Sequence, residues 1–393
     1  MIIQTTGGES ATTTTSIGTL PSGALTAVSP QIIFDGKIIN ADDSTSLWQN
    51  TGTGTFTFTG NKLNMSVTAG QYCIRQSRRV MPYFSGYPII VEETFDNFGI
   101  TANLVKRVGY FSSNAVAPYD TAYDGFALEM DGTTYRLRAW NNGTSTVNVP
   151  FASWDNYGFL QNYNWSNFTA IYFDFLWLGG AALRIWVCTP DRGWVLGHSA
   201  QYIGNNQSTI CLTPNQPLRY EIRSTTGVGS FRYICSQMSV GGNVSSLGNV
   251  LPCEYTTGIA CNAVGTTYAL QGFKKRTGYR DIPIKFSEIF ASNGATSDTG
   301  LLYLLRNPTL SASLTYANYD KIDRAVATTQ TVSAKNEIIG VAPIGTTGQG
   351  LVPDNYKAWM TQAIDNTFDE YVLAYMPLST NQTINGVAIL KTF

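Results

Sequence analysis

Histidine occurs once in 393 residues, at His198, and Lys, Arg, Asp and Glu together supply only 13% of the chain. A soluble domain averages about 25% charged residues. With one imidazole, any Ser-His-Asp or Cys-His site would depend on His198. It sits in Gly197-His198-Ser199-Ala200-Gln201, which lacks the glycine a nucleophile elbow needs after its variable position. The six cysteines, Cys73, Cys188, Cys211, Cys235, Cys253 and Cys261, contain no Cys-x-x-Cys pair. Together with the single histidine, that argues against a zinc site, and buried free thiols are expected. No His-Glu-x-x-His, Gly-x-x-x-x-Gly-Lys or calcium-loop pattern is present. The run Gly345-Thr-Thr-Gly-Gln-Gly350 is glycine-rich but has no lysine. No cofactor is expected. A net charge of −1 argues against a nucleic-acid partner, and low charge suits a subunit of a larger assembly. Met1-Ile-Ile-Gln-Thr-Thr-Gly-Gly has neither the basic nor the apolar region of a secretory signal.

An apolar run suited to a bilayer is missing too. The most apolar stretch, Ile171 to Val187, carries Asp174 and Arg184 and is broken by Gly179-Gly180. A spanning helix needs about 20 predominantly apolar residues, and a charge near its centre costs roughly 2.5–3.5 kcal/mol. Aromatic and β-branched content suits strands instead. The expectation is two buried strands turning at Gly179-Gly180, and no membrane.

What is present reads as β structure. Phe56 and Phe58 alternate with threonines, and after Gly60-Asn61 the residues Leu63, Met65 and Val67 alternate with polar ones, a hairpin pattern with one buried face. Asp35-Gly36, Asp124-Gly125, Asp131-Gly132, Asn142-Gly143 and Asn385-Gly386 supply the left-handed positions of tight turns. The expected fold class is all-β: an extended N-terminal arm over 1–30, a concanavalin-like or jelly-roll sandwich over 31–245, a linker over 246–270 and a smaller β-rich domain over 271–393. The one expected helix is Asp354 to Asp365.

Candidate chemistry is sparse. Glu92-Glu93, and Glu129 with Asp131, could supply the two carboxylates of a glycosidase. Strand alternation puts Glu129 and Asp131 on one face, yet Asp131-Gly132 reads first as a hairpin turn with Glu129 as its solvent-facing neighbour. Arg75, Arg78 and Arg79, and Lys274, Lys275, Arg276 and Arg280, form basic clusters that could contact phosphate. In a chain of near-zero net charge they are expected to be solvated or paired. Tyr110, Tyr123, Tyr135, Trp140 and Trp154 lead an aromatic cluster that could stack on a glycan if it lined a groove. The competing reading is a sandwich core plus an interface between subunits.

Several phrases, in order, resemble a family of phage and large-DNA-virus structural proteins. They are Gln71-Tyr-Cys-Ile-Arg-Gln-Ser-Arg78, Val108-Gly-Tyr-Phe111, Tyr123-Asp-Gly-Phe-Ala-Leu-Glu-Met-Asp-Gly-Thr-Thr-Tyr135, Phe173-Asp-Phe-Leu-Trp-Leu-Gly179, Thr213-Pro-Asn-Gln-Pro-Leu-Arg-Tyr-Glu-Ile222, Ile234-Cys-Ser-Gln-Met-Ser-Val-Gly-Gly242 and Leu304-Leu-Arg-Asn-Pro-Thr309. The chain departs from the family after Trp-Leu-Gly, where Gly180-Ala-Ala-Leu-Arg184 keeps only one basic residue. The resemblance implies no catalytic residues. It implies a non-enzymatic virion protein made in the host cytoplasm, a capsid decoration, cement or head-fibre subunit. Its partners would be the major capsid protein or other virion proteins, and a homotrimer is favoured. The alternative is a tail or fibre protein that binds a host receptor or polysaccharide.

Overall fold

Two-residue alternation governs nearly every element. The computed structural model describes residues 18–19, 25–26, 30–38, 47–177, 182–201, 209–241, 248–293, 299–327, 329–345, 349–351, 353, 357–379 and 382–393. The N-terminal arm lies outside the described residues, except for an antiparallel pair, Gly18–Thr19 with Leu25–Thr26. The turn expected at Gly179-Gly180 also lies outside them. The chain forms two units: Met1–Ser77 with Met81–Ser246, and Arg78–Val80 with Leu247–Phe393.

The first unit is an antiparallel sandwich. One sheet has seven strands, in spatial order Thr144–Pro150, Tyr135–Asn141, Asp124–Met130, Leu104–Ser112, Leu218–Ser224, Tyr72–Ser77 and Trp48–Gly52. The other runs Gly193–Gln201, Ala182–Thr189, Thr169–Phe175, Ile89–Asp96, Gly229–Val240, Leu63–Val67 and Thr55–Phe58, and Gln31–Lys37 also pairs with Gly229–Val240 to make eight. Inward side chains interleave between the sheets. Phe126 lies 5.2 Å from Phe173 and 4.9 Å from Phe175 between ring centroids, and Trp48 lies 5.1 Å from Tyr233. Burying such a side chain contributes roughly 1.5–3 kcal/mol. The apolar run therefore does form two core strands. Ile171, Phe173 and Phe175 of Thr169–Phe175 and Leu183, Ile185 and Val187 of Ala182–Thr189 are all fully buried, and the strands pair antiparallel.

The second unit is also β-rich. A six-stranded sheet runs Ala317–Tyr319, Ile322–Val326, Tyr268–Lys275, Tyr371–Pro377, Gly300–Arg306 and Glu337–Ile344, and a four-stranded sheet runs Asn249–Cys261, Gln382–Thr392, Ile284–Asn293 and Gln349–Leu351. Their apolar faces share one core of residues such as Leu251, Phe286, Leu304 and Leu373.

Three expectations are corrected. The stretch 246–270 is not a linker, because Asn249–Cys261 is a long strand paired with Gln382–Thr392. Its Leu251, Cys253, Ile259 and Cys261 point into the core, and that burial outweighs the turn-like glycines before it. The described part of the expected helix, 357–365, is not helical. Trp359 and Gln362 form isolated β-bridges with Lys285 and Phe368. Finally, Asp35-Gly36, Asp124-Gly125 and Asn385-Gly386 lie inside strands rather than at turns. Gly125 is there for close approach. At φ +112°, a Cβ would stand 2.2 Å from the Tyr110 carbonyl oxygen. Only Asp131-Gly132 and Asn142-Gly143 make hairpin turns, with left-handed backbone at Gly132, Asn142 and Gly143.

Among the described residues no helix is long and apolar enough to cross a membrane. All six cysteines are free, Cys188 and Cys235 half-buried and the rest buried.

Candidate functional site

Alternation also decides which side chains leave the sandwich core, and each sheet of the first unit has an outer face. On the seven-stranded sheet much of that face is taken up by a network of ion pairs, beside a cleft of about 570 Å³ lined by Tyr72, Val105, Pro118, Asp131 and Arg223 among others. The register sets Glu221 beside Arg107 and Arg107 beside Glu129. Glu221 is fully buried and accepts hydrogen bonds from Arg219 Nη2 at 2.5 Å, Arg107 Nη1 at 2.8 Å, Tyr123 Oη at 2.9 Å, and Arg223. Burial alone would raise its pKa, but Arg219, Arg223 and Arg107 hold the carboxyl far below the usual range. The backbone at Pro118 and Tyr119 closes over these arginines. Arg223 Nη2 donates to the two carbonyls at 2.7 and 2.8 Å, and Arg219 Nη2 donates to Tyr119 at 2.9 Å. Asp124 fixes the neighbouring loops, accepting from the N–H groups of Asn142, Leu212 and Thr213 and from Gln216 Nε2. These are internal supports with their bonds already made.

Most residues singled out from the sequence fall into such supports. Glu129 is not solvent-facing. It is 5% exposed and bonds Arg107 Nε at 2.6 Å. Asp131 does sit in a hairpin turn, capping Thr133 and Thr134 and bonding Arg136 Nε at 2.6 Å. Burial would raise its pKa, but these donors hold it well below the carboxylate range. Glu93 points into the sandwich core. His198 Nδ1 lies 3.1 Å from Asp155 Oδ2; burial lowers its pKa and Asp155 opposes that.

The five aromatics are buried: Tyr110 0%, Tyr123 9%, Tyr135 8%, Trp140 3% and Trp154 3% exposed. Tyr110 Oη donates to the Pro214 carbonyl at 2.8 Å, Trp154 Nε1 donates to the Val149 carbonyl, and Tyr135 packs 5.0 Å from Trp165. Among the described residues these contacts leave them almost wholly shielded from solvent.

The basic clusters point inward as well. Arg75 stacks between Trp48 and Tyr233 at 4.8 and 4.4 Å. In the second unit Arg78 pairs with Asp369 at 2.8 Å, Arg79 lies 3.9 Å above Trp359, and Lys274 lies 4.4 Å from the Tyr316 ring. Lys275 is buried and donates to the Arg280 carbonyl, its pKa lowered by burial to about 7. Arg276 and Arg280 remain nearer the surface; Arg276 Nη1 donates to the Asp320 carbonyl and Arg280 pairs with Asp281.

The outer face of the eight-stranded sheet is different. The strands of the apolar run turn Tyr172, Asp174, Arg184 and Trp186 outward, and the register sets Tyr172 opposite Trp186 and Asp174 opposite Arg184. Tyr172 and Trp186 stack at 5.4 Å with planes 15° apart, and Trp194 meets Tyr172 edge-on at 4.8 Å. Tyr172 and Trp186 are half-buried, and Trp194 is 44% exposed. At one end Asp174 Oδ2 lies 3.5 Å from Arg184 Nε. Burial raises the Asp174 pKa to about 6 despite Arg184. At the other end Ala170 and Cys188 begin a cleft of about 550 Å³, completed by Phe159, Asn162, Tyr163, Asn164, Asn167 and Phe168 among others. Phe159 and Phe168 are 59% and 61% exposed. Shelf and cleft together present stacking rings, amides and ion pairs. Among the described residues, no cluster of three or more His, Cys, Asp or Glu could hold a metal.

No family model and no curated protein matches the chain. Among solved structures the chain is similar to the Emp47p carbohydrate recognition domain, with a TM-score of 0.37 and 10% identity over 54% of this chain and 97% of that one. It is similar to the legume lectin-like domain from Entamoeba histolytica, with a TM-score of 0.34 and 9% identity over 52% and 96%. It is also similar to protein of unknown function SO2946 from Shewanella oneidensis MR-1, with a TM-score of 0.36 and 11% identity over 63% and 100%. The structure itself shows the all-β sandwich expected. Sandwiches share this architecture without sequence similarity, and one fold hosts many functions, so nothing of those proteins' ligands is carried over.

Proposed function

We propose that the chain is a non-catalytic binding subunit of a virus particle, and that its first unit binds a saccharide across the Tyr172–Trp186–Trp194 shelf and the adjoining cleft. The shelf is the observation that carries the reading. A stacked and edge-on ring cluster, partly open to water and flanked by amides, suits the alternating apolar faces and hydroxyl edges of a sugar. Binding rather than catalysis is supported by the bonds already made at Glu129 and Asp131 and by the inward position of Glu93. The particle assignment rests on the sequence resemblance. It carries with it the expected partners, the major capsid protein or a fibre, and the expected homotrimer.

A glycan array followed by calorimetry tests the shelf. Trp186→Ala or Trp194→Ala weakens saccharide binding by roughly ten-fold or more, on the order of one lost stacking interaction, and leaves the melting temperature within a few degrees. Unchanged binding in both variants refutes the shelf. Locating the chain by immunogold on purified particles tests the virion assignment, and light scattering that finds only monomer at micromolar concentration removes the trimer.

A further inference from the structure

We infer that the shelf and cleft take a neutral oligosaccharide and discriminate against an anionic one, an inference that rests on reading the shelf as a saccharide site. Charge balance on this face carries it. A uronate, sialate or sulfate is recognised by an arginine or lysine free to make paired, charge-assisted bonds. Every described basic side chain beside the site already has a carboxylate. Arg184 stands 3.5 Å from Asp174. Arg192 stands 3.5 Å from Asp191 and stacks 4.4 Å above Phe159. His198 stands 3.1 Å from Asp155. Glu92, directly across from Tyr172 in the register, adds a carboxylate for which no ion pair is found among the described residues. The local balance is therefore acidic, and an anionic ligand meets like charge at its stacking surface.

The remaining polar groups fit hydroxyls. Asn162, Asn164 and Asn167 are exposed in the cleft, and each amide both donates and accepts, as a hydroxyl does. Asn164 spends its oxygen on the Ser166 N–H at 3.0 Å, which leaves its NH₂ to donate. The site is also long. Asp174 and Ala170 are four residues apart on one strand, about 13 Å at the usual rise, with the cleft beyond. That span exceeds a single pyranose, so the ligand is an oligomer.

The full chain is probed with an array of neutral and anionic oligosaccharides, and the best of each class is then titrated by calorimetry. The expected result is a neutral oligosaccharide bound at least about ten-fold tighter than its anionic counterparts, as like-charge juxtaposition requires, and lost in Trp186→Ala. Glu92→Gln narrows that margin. Tighter binding of anionic oligomers, still lost in Trp186→Ala, overturns the inference and leaves the shelf in place. A margin unchanged by Glu92→Gln overturns the charge argument in the same way. No saccharide bound, or binding indifferent to both Trp186→Ala and Trp194→Ala, overturns the shelf and the inference together.

Discussion

Glu93 is a buried group whose removal should change the pH dependence of stability. Its strand, Ile89–Asp96, points it into the sandwich core, where it is 0% exposed. Tyr220 Oη and Ser236 Oγ both donate to its Oε2 at 2.5 Å, and its Oε1 has no partner. Burial raises its pKa from 4.5 to about 8, against the lowering effect of those two hydroxyls. Between those pH values the carboxyl takes up a proton on folding, so its contribution to stability falls as pH rises from 4.5 and levels off above about 8. At about 1.4 kcal/mol per pH unit, the full window is worth on the order of 5 kcal/mol, a large share of an ordinary domain's stability. Glu93→Gln keeps the shape and one acceptor oxygen but cannot ionise. The variant should match the natural chain, within about 1 kcal/mol, below pH 4.5. It should grow progressively more stable than the natural chain toward pH 8. Urea unfolding followed by tryptophan fluorescence reads this unit, since every tryptophan except Trp359 lies in it. Lys106, lowered by burial to about 8, tilts both curves the opposite way above that pH and cancels in their difference. Parallel curves from pH 4.5 to 8 would refute the argument.

Other perturbations test the supports. Glu221→Gln leaves Arg107, Arg219 and Arg223 without their shared counter-charge, and thermal melts should show a loss of about 3–5 kcal/mol at neutral pH. Because the Glu221 pKa is depressed, the natural chain should lose that stabilisation as pH falls below the ordinary carboxylate value of 4.5. Gly125→Ala forces a Cβ to 2.2 Å from the Tyr110 carbonyl at φ +112°. A lower urea midpoint, by more than about 2 kcal/mol, is expected. Arg75→Lys keeps the charge but loses the planar stack between Trp48 and Tyr233, and should cost about 1–2 kcal/mol in the same assay.

Much of the fold was legible because alternation is local. Leu63, Met65 and Val67 are buried as their spacing required. What alternation could not show was which outer face is water. Glu129 alternates correctly, but Pro118 and Tyr119 from a distant loop close over its neighbours. Asx-Gly pairs misled for a related reason. A glycine whose left-handed backbone makes a turn and one that lets two strands approach look identical in sequence, and Gly125 is of the second kind. The supposed linker misled because its glycine-rich approach hides the inward spacing of Leu251, Cys253, Ile259 and Cys261.

The site was half legible for the same reason. Tyr110, Tyr123, Tyr135, Trp140 and Trp154 drew attention by density along the chain, but dense aromatics are what a sandwich core needs. Tyr172, Trp186 and Trp194 are fewer and lie inside or just after the most apolar stretch, so they read as more core. Their phase was the usable signal. Tyr172 shares its face with Asp174, and Trp186 with Arg184, while Ile171, Phe173, Ile185 and Val187 take the other face. An aromatic in phase with charges on a buried strand is turned toward solvent. Polar residues hold a surface position at little cost, whereas a tyrosine and two tryptophans left there forgo much of the burial that the core would give them. The charges that argued against a membrane span thus also mark the face where the aromatics are open to a ligand.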